Sequence, residues 1–96
     1  MSLCEQMANI GSEVSRALNW KNKGKNELSL RAVDRALELI DLTVASVKQY
    51  SGLKEILRTR ECLADYFYGD NEFSSTESQW RKYFDAFAYR ANNKNA

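Results

Sequence analysis

Apolar residues recur at helical spacing in four successive segments of the chain. The most regular is the second segment, where intervals of three and four residues separate Leu30, Val33, Leu37, Ile40, Val44 and Val47. Such spacing places side chains on one face of an α-helix, and no segment shows the alternation typical of a strand. The pattern therefore predicts an all-α, single-domain, four-helix up-and-down bundle over residues 1–96, with a frayed polar tail at about 92–96. The predicted helices lie near 3–23, 27–49, 52–68 and 76–91.

The inward faces of the other predicted helices follow from the same spacing. The first helix presents Leu3, Met7, Ile10, Val14 and Ala17. The third presents Leu53, Ile56, Leu57, Leu63, Ala64 and Phe67. The fourth presents Trp80, Phe84, Phe87 and Ala91, with Tyr83 and Ala88 alongside. Each apolar face must be buried against a neighbouring helix, so these residues together form the expected core.

Capping residues and glycines mark the predicted helix ends. Ser2 with Glu5, and Thr76 with Gln79, have the spacing of capping boxes, in which each side chain accepts from the other residue's free backbone N–H. The remaining predicted ends are N-caps at Asn26 and Ser51 and glycine ends at Gly24 and Gly69.

Two further features of the pattern stand out. Gly11 lies inside the first predicted helix, at a cost of about 1 kcal/mol relative to alanine. This residue predicts either a close helix crossing or a later start of the regular helix. After Gly69, the segment DNEF is predicted to be a turn, with Phe73 folded back on the core. It lacks the mid-loop glycine of a calcium-binding loop, so no metal site is predicted here.

The residue inventory argues against most enzyme chemistry. The chain has 96 residues, a net charge of +1 and no histidine, which removes the commonest general base and metal ligand. Cys4 and Cys62 are too few for a zinc site and are predicted to be reduced thiols. We expect no cofactor and no catalytic residue. No apolar run is long enough to span a membrane, and the N-terminus does not resemble a signal peptide, so a cytoplasmic protein is predicted.

Arg60 is the residue that fits the predicted core least well. Its neighbours one turn away on the third helix are all apolar, so its charge needs a partner or a route to water. Three interpretations remain open: a side chain that reaches solvent, a structural ion pair with Asp41, or a functional arginine in a groove. We expect Arg60 to be largely buried against Asp41, and its removal then to cost about 3–5 kcal/mol.

The segment RECLADYF, residues 60–67, resembles the C-terminal signature of HEPN domains, small helical bundles common in bacterial toxin–antitoxin systems. Arg60, Leu63, Ala64 and Phe67 match the family pattern, whereas Asp65 stands where the family has its histidine. Glu61 replaces the usual asparagine. In that family the arginine and histidine cleave RNA, or the fold binds nucleotide. The resemblance therefore implies a HEPN-like domain without the usual ribonuclease chemistry.

Three classes of function follow from these residues. The first is a non-catalytic interaction module that forms a homodimer or binds a partner protein. Its predicted interface is the aromatic set of the fourth helix, Trp80, Tyr83, Phe84, Phe87 and Tyr89. The second is a nucleotide or RNA binder, and the third a divergent ribonuclease that would use Arg60 with Glu61, Asp65 or Tyr66. The candidate binding groove comprises Lys54, Arg58, Arg60, Glu61 and Asp65.

Overall fold

The computed structural model describes residues 2–92, which form four α-helices and no strand. The helices are α1 (Leu3–Asn22), α2 (Asn26–Ser46), α3 (Tyr50–Tyr68) and α4 (Glu77–Asn92). The prediction of an all-α, four-helix fold is confirmed, with each end within three residues of its expected position. The predicted frayed tail lies outside the described residues, apart from Asn92 at the end of α4.

The two predicted capping boxes form, whereas the two predicted single N-caps are wrong. Ser2 Oγ accepts from the Glu5 N–H at 3.1 Å, and Thr76 Oγ1 accepts from the Gln79 N–H at 3.1 Å. The reciprocal bonds are also present. The N-cap positions fall at Lys25 and Gln49, so Asn26 and Ser51 already lie inside helices. Their side chains therefore cannot accept from the first helical turn as N-caps do.

The helices pack as an open bundle with α1 at its centre. α1 packs against both α2 and α4, while α3 packs against α2. Within the described part of the chain, no Cα atom of α3 comes within 8 Å of a Cα atom of α4. The seam between α3 and α4 is therefore wider than the other seams and is bridged by side chains alone.

Small residues bring α1 and α2 together. Ala17 of α1 and Ala32 of α2 are buried beside Val33. The buried hydroxyl of Ser29 donates to the carbonyl of Ala17 at 2.8 Å. A buried hydroxyl that lacked a partner would be destabilising, so this bond both satisfies Ser29 and fixes the axial position of α2 on α1.

Gly11 provides the close contact between α1 and α4. A Cβ atom built on Gly11 would lie 2.6 Å from Cβ of Phe84 and 2.9 Å from its Cγ. The close crossing predicted from this glycine is thus present, and α1 is a continuous helix through it. Phe84 is buried in this contact, as is Trp80 one turn earlier.

The core collects buried side chains from all four helices. Its largest fully buried members are Met7, Ile10, Leu18, Ile40, Ile56 and Leu63. The prediction that Leu57 faces inward is wrong, because this side chain is 45% exposed. Ile56, Thr59 and Leu63 define the buried face of α3, and Leu57 lies about 100° around the helix from Ile56.

Two predictions from the residue inventory can be compared directly with the structure. Cys4 and Cys62 are free thiols, and both are partly buried. Among the helices of residues 2–92, none combines the length and the apolarity that a membrane crossing requires.

We expect Gly11→Ala to destabilise the protein. The added methyl group would overlap Cβ and Cγ of Phe84, which cannot swing aside, so the overpacking costs about 2–3 kcal/mol, whereas the gain in helix propensity is about 1 kcal/mol. A net loss of about 1–2 kcal/mol should appear in urea unfolding. Gly52→Ala is the matched control, because its methyl group would meet its nearest neighbour at 3.4 Å. Unchanged or raised stability in Gly11→Ala would contradict the close contact.

Candidate binding groove between α3 and α4

The wide seam between α3 and α4 forms a groove of about 590 Å³. This size falls within the range of small-molecule binding sites. One wall comes from successive turns of α3 and the other from the start of α4 and the turn before it. The residues that line the groove are Ser51, Lys54, Glu55, Arg58, Thr59, Cys62, Ser75, Gln79, Trp80 and Tyr83.

Aromatic rings from α4 form a continuous array at the base of the groove. Trp80 stacks on Phe84 with ring centroids 6.1 Å apart, and Tyr83 meets Phe84 edge-on at 5.0 Å. Tyr66 of α3 approaches Trp80 edge-on at 6.3 Å, so aromatic contact crosses the seam. Trp80 is buried, yet its indole N–H has no hydrogen-bond partner in the described part of the protein.

Hydrogen bonds through Tyr83 tie α4 to α3. Its phenolic oxygen lies 3.0 Å from Thr59 Oγ1 and donates to Glu55 Oε1 at 3.0 Å. The single hydroxyl proton of Thr59 is shared between two acceptors, Tyr83 Oη and the carbonyl of Glu55, which lies 2.9 Å from Thr59 Oγ1. Burial, with further contributions from the neighbouring Glu55, raises the pKa of Tyr83 to about 12. The tyrosine therefore stays neutral and hydrogen-bonded over the physiological range.

Two cations stand on the α3 side of the groove. Lys54 and Arg58 are one turn apart and exposed. Neither forms an ion pair or a hydrogen bond with another described residue. The only carboxylate in the groove lining is Glu55, which accepts from Tyr83. Glu55 keeps its negative charge, so the described lining of the groove carries a net charge of +1.

The predicted pair between Arg60 and Asp41 forms, but not as a buried pair. Arg60 Nε lies 3.0 Å from Asp41 Oδ1, and the two side chains are 40% and 60% exposed. The expectation of burial is wrong, because Arg60 leaves the core at the edge where α3 meets α2. This position also separates Arg60 from Lys54 and Arg58, so the three cations that nucleic-acid binding was expected to use do not form one patch.

The acidic residues of the predicted groove also lie elsewhere. Asp65 Oδ1 accepts from the Glu72 N–H at 2.8 Å, and Oδ2 accepts from the Phe73 N–H at 3.0 Å. Asp65 thus holds the turn that follows α3. Phe73 is 59% exposed, so the prediction that it folds back on the core is wrong. Glu61 lies on the outer face of α3, where it lines a separate concavity.

The predicted aromatic interface of α4 is largely internal. The prediction is wrong for Trp80 and Phe84, which are buried against α1 and in the core. Tyr83 and Phe87 are partly buried against the same core, and only Tyr89 is exposed. Gly11 explains this outcome, since it lets α4 approach α1 closely enough to cover these rings.

The sequence analysis gave no role to Thr59, and it placed Tyr83 beside the inward stripe and in an interface but not in a hydrogen bond to α3. A signal was present, since Thr59 is a polar residue between Ile56 and Leu63 on the buried face of α3. A polar group at such a position needs a partner, and the aromatic helix that follows supplies a hydroxyl. No pattern within one helix reveals which tyrosine reaches it.

Arg60→Ala should lower stability only slightly. Ion pairs with this exposure contribute about 0.2–1 kcal/mol, far less than a buried pair. A double-mutant cycle with Asp41→Ala, measured by urea unfolding, should give a coupling energy below about 1 kcal/mol. A loss of several kcal/mol in Arg60→Ala would show that the pair is desolvated after all.

Tyr83→Phe should remove a pH dependence of stability. The pKa of Tyr83 is raised to about 12, so its contribution to stability is full below about pH 10 and is lost as the pH rises toward about 12. The stability advantage of the wild type over Tyr83→Phe should therefore shrink by about 1 kcal/mol between about pH 9 and about pH 11.5. Thr59→Val is the control, because it breaks the same hydrogen-bond network without removing a titrating group. An advantage over Tyr83→Phe that stays constant with pH would contradict the raised pKa.

Comparison with known proteins provides no relative for this chain. No family model matches it, and neither a curated protein nor a solved structure shows significant similarity to it. The HEPN-like resemblance of residues 60–67 therefore stays a prediction.

Proposed function

We propose that the chain is a non-catalytic interaction module, HEPN-like in character, that forms a homodimer through the outer face of α3. The observation that carries the proposal is an apolar stripe on that face, formed by Tyr50, Leu53 and Leu57. Tyr50 is 78% exposed and Leu57 45%, although both side chains are large and apolar in character. Clustered apolar side chains at helical spacing on a surface mark contact sites in small proteins.

The shape of this face supports a helical partner. A shallow concavity of about 340 Å³ runs along the stripe. Its lining consists of Tyr50, Leu53, Lys54, Leu57, Arg58 and Glu61. An α-helix that placed its own apolar stripe in this concavity would bury both stripes at once.

The charges beside the stripe favour a second copy of the same chain. Lys54 and Glu61 lie on one side of it and are seven residues apart, or about 10 Å along the helix, which is too far to pair within one chain. In a twofold antiparallel contact between two α3 helices, Lys54 of one copy would lie beside Glu61 of the other. The same arrangement would then occur twice, so the surface is complementary to itself.

The residues of the HEPN-like motif support a non-catalytic role. Arg60 is engaged by Asp41, and both carboxylate oxygens of Asp65 accept from backbone N–H groups of the following turn. The carboxylate of Asp65 is thus occupied in holding the turn after α3. The two free cysteines are consistent with a reducing compartment such as the cytoplasm, where we place the protein in the same proposal.

The dimer is tested by Leu57→Glu. Light scattering behind a sizing column, at about 50 μM protein, should give about twice 11.1 kDa for the wild type. Leu57→Glu places a charge in the centre of the contact and should weaken the dimer by about 2 kcal/mol or more. Leu42→Glu is the matched control, since Leu42 is 68% exposed on α2 and lies outside the stripe.

A charge exchange tests the orientation of the two copies. Glu61→Lys and Lys54→Glu should each weaken the dimer, and the double exchange should restore most of the loss. A wild type that stays at 11.1 kDa at every concentration would reject self-association, as would equal effects of Leu57→Glu and Leu42→Glu.

A further inference from the structure

We propose that the groove between α3 and α4 is a binding site for a small organic anion with an aromatic or apolar body. The ligand's rings would lie against the side chains of Trp80 and Tyr83, and its single anionic group would bind the guanidinium of Arg58. Lys54 and Arg58 lie at the border between this site and the dimer surface proposed above. The site is formed by one chain and requires no second copy.

The apolar body follows from the groove's floor and size. Tyr83 is partly exposed in the groove, Trp80 lines it although it is only 6% exposed, and Cys62 adds a soft apolar thiol. The volume of about 590 Å³ suits a ligand of one to three fused or linked rings. The open seam makes this surface accessible without any rearrangement of the helices, because no backbone of α3 closes on α4.

The negative charge follows from the polar groups that lack partners. The exposed guanidinium of Arg58 has no acceptor among the residues that the structure describes. Gln79 offers its amide N–H groups, since its carbonyl oxygen already accepts from the Thr76 N–H. Among the acceptors, Glu55 Oε1 and Thr59 Oγ1 both lie within hydrogen-bond distance of Tyr83 Oη. The cationic side chains of Lys54 and Arg58, which have no carboxylate partner, therefore favour a ligand with an acceptor-rich anionic group.

Arg58 is a better anion-binding residue than Lys54. Its guanidinium can form two parallel hydrogen bonds to a carboxylate or sulfonate, which an ammonium group cannot do. Arg58 also follows Glu55 by three residues on the groove side of α3. Lys54 and Arg58 both line the groove and the concavity along the outer stripe of α3, but only Lys54 has a proposed role in the dimer.

A pair of matched probes tests the ligand class. The anion 8-anilinonaphthalene-1-sulfonate and the neutral N-phenyl-1-naphthylamine share an aromatic body and differ in the sulfonate. Fluorescence titration of the folded wild-type protein should show one saturable site per chain for both probes, with the anion bound more tightly. Near-UV circular dichroism and urea unfolding on each variant would confirm that binding is to the native state.

Arg58→Met should weaken binding of the anionic probe at least about fivefold and change binding of the neutral probe less than about twofold, since a single charged hydrogen-bonded contact is lost. Arg58→Lys should give an intermediate loss. Arg35→Met is the matched control, because Arg35 is an exposed arginine of α2 away from the groove. This control should leave both affinities unchanged.

Cys62 reports where the probe binds. In a Cys4→Ser background, Cys62 is the remaining thiol of the chain and lines the groove. Saturating anionic probe should slow alkylation of Cys62 by N-ethylmaleimide at least about fivefold, and in an Arg58→Met version the probe concentration that gives half of this protection should rise at least about fivefold.

Three results would overturn the inference. Absence of saturable binding would show that the groove is not a ligand site. Equal affinity for the two probes, with no effect of Arg58→Met, would show a purely apolar site and reject the anion. Tight binding that leaves Cys62 fully reactive would place the probe elsewhere on the protein.

Discussion

The close approach of α1 and α4 at Gly11 determines the rest of the architecture. Because Gly11 has no side chain, Phe84 reaches the backbone of α1, and Trp80 is buried with it. α1 is held equally closely on its other side, where Ser29 bonds to Ala17. The central helix thus takes both α2 and α4 as neighbours. α3 is left to pack on α2, and the opposite seam of the bundle stays open.

In this open seam, side-chain contacts hold α3 and α4 together, whereas at the other seams the helix backbones pack closely. Tyr83 bonds to Thr59 and Glu55 across it, and Tyr66 meets Trp80 edge-on. The side chains that make these contacts are long, so they cross the seam without filling it. The result is a groove with a rigid aromatic base, because the rings beneath it are fixed by the α1–α4 contact. Rigid aromatic surface is favourable for binding, since little conformational freedom is lost when a ligand covers it.

The sequence predicted the helices well because three- and four-residue spacing reports one helix at a time. The spacing also predicted the partner of Arg60. Asp41 has mainly apolar neighbours one turn away on α2, as Arg60 has on α3. The spacing did not predict how far Arg60 lies from the bundle axis, or that Leu57 points outward while Ile56 points inward. When two adjacent residues of a helix are both apolar, either one could face the core, and the two directions differ by about 100°. Only the distance and orientation of the next helix resolve it.

The two proposed surfaces of α3 meet at Lys54 and Arg58, and this proximity has a thermodynamic consequence. If Lys54 pairs with Glu61 of a second copy, the positive potential that an anion experiences in the groove decreases. Binding of an anion beside Arg58 would in turn change the charge that Lys54 presents to the second copy. Coupling between two binding equilibria is reciprocal, so ligand affinity and dimer affinity must alter each other by the same factor. From charge alone we expect this coupling to be antagonistic. Ligand binding would then weaken the dimer, and dimerisation would weaken ligand binding.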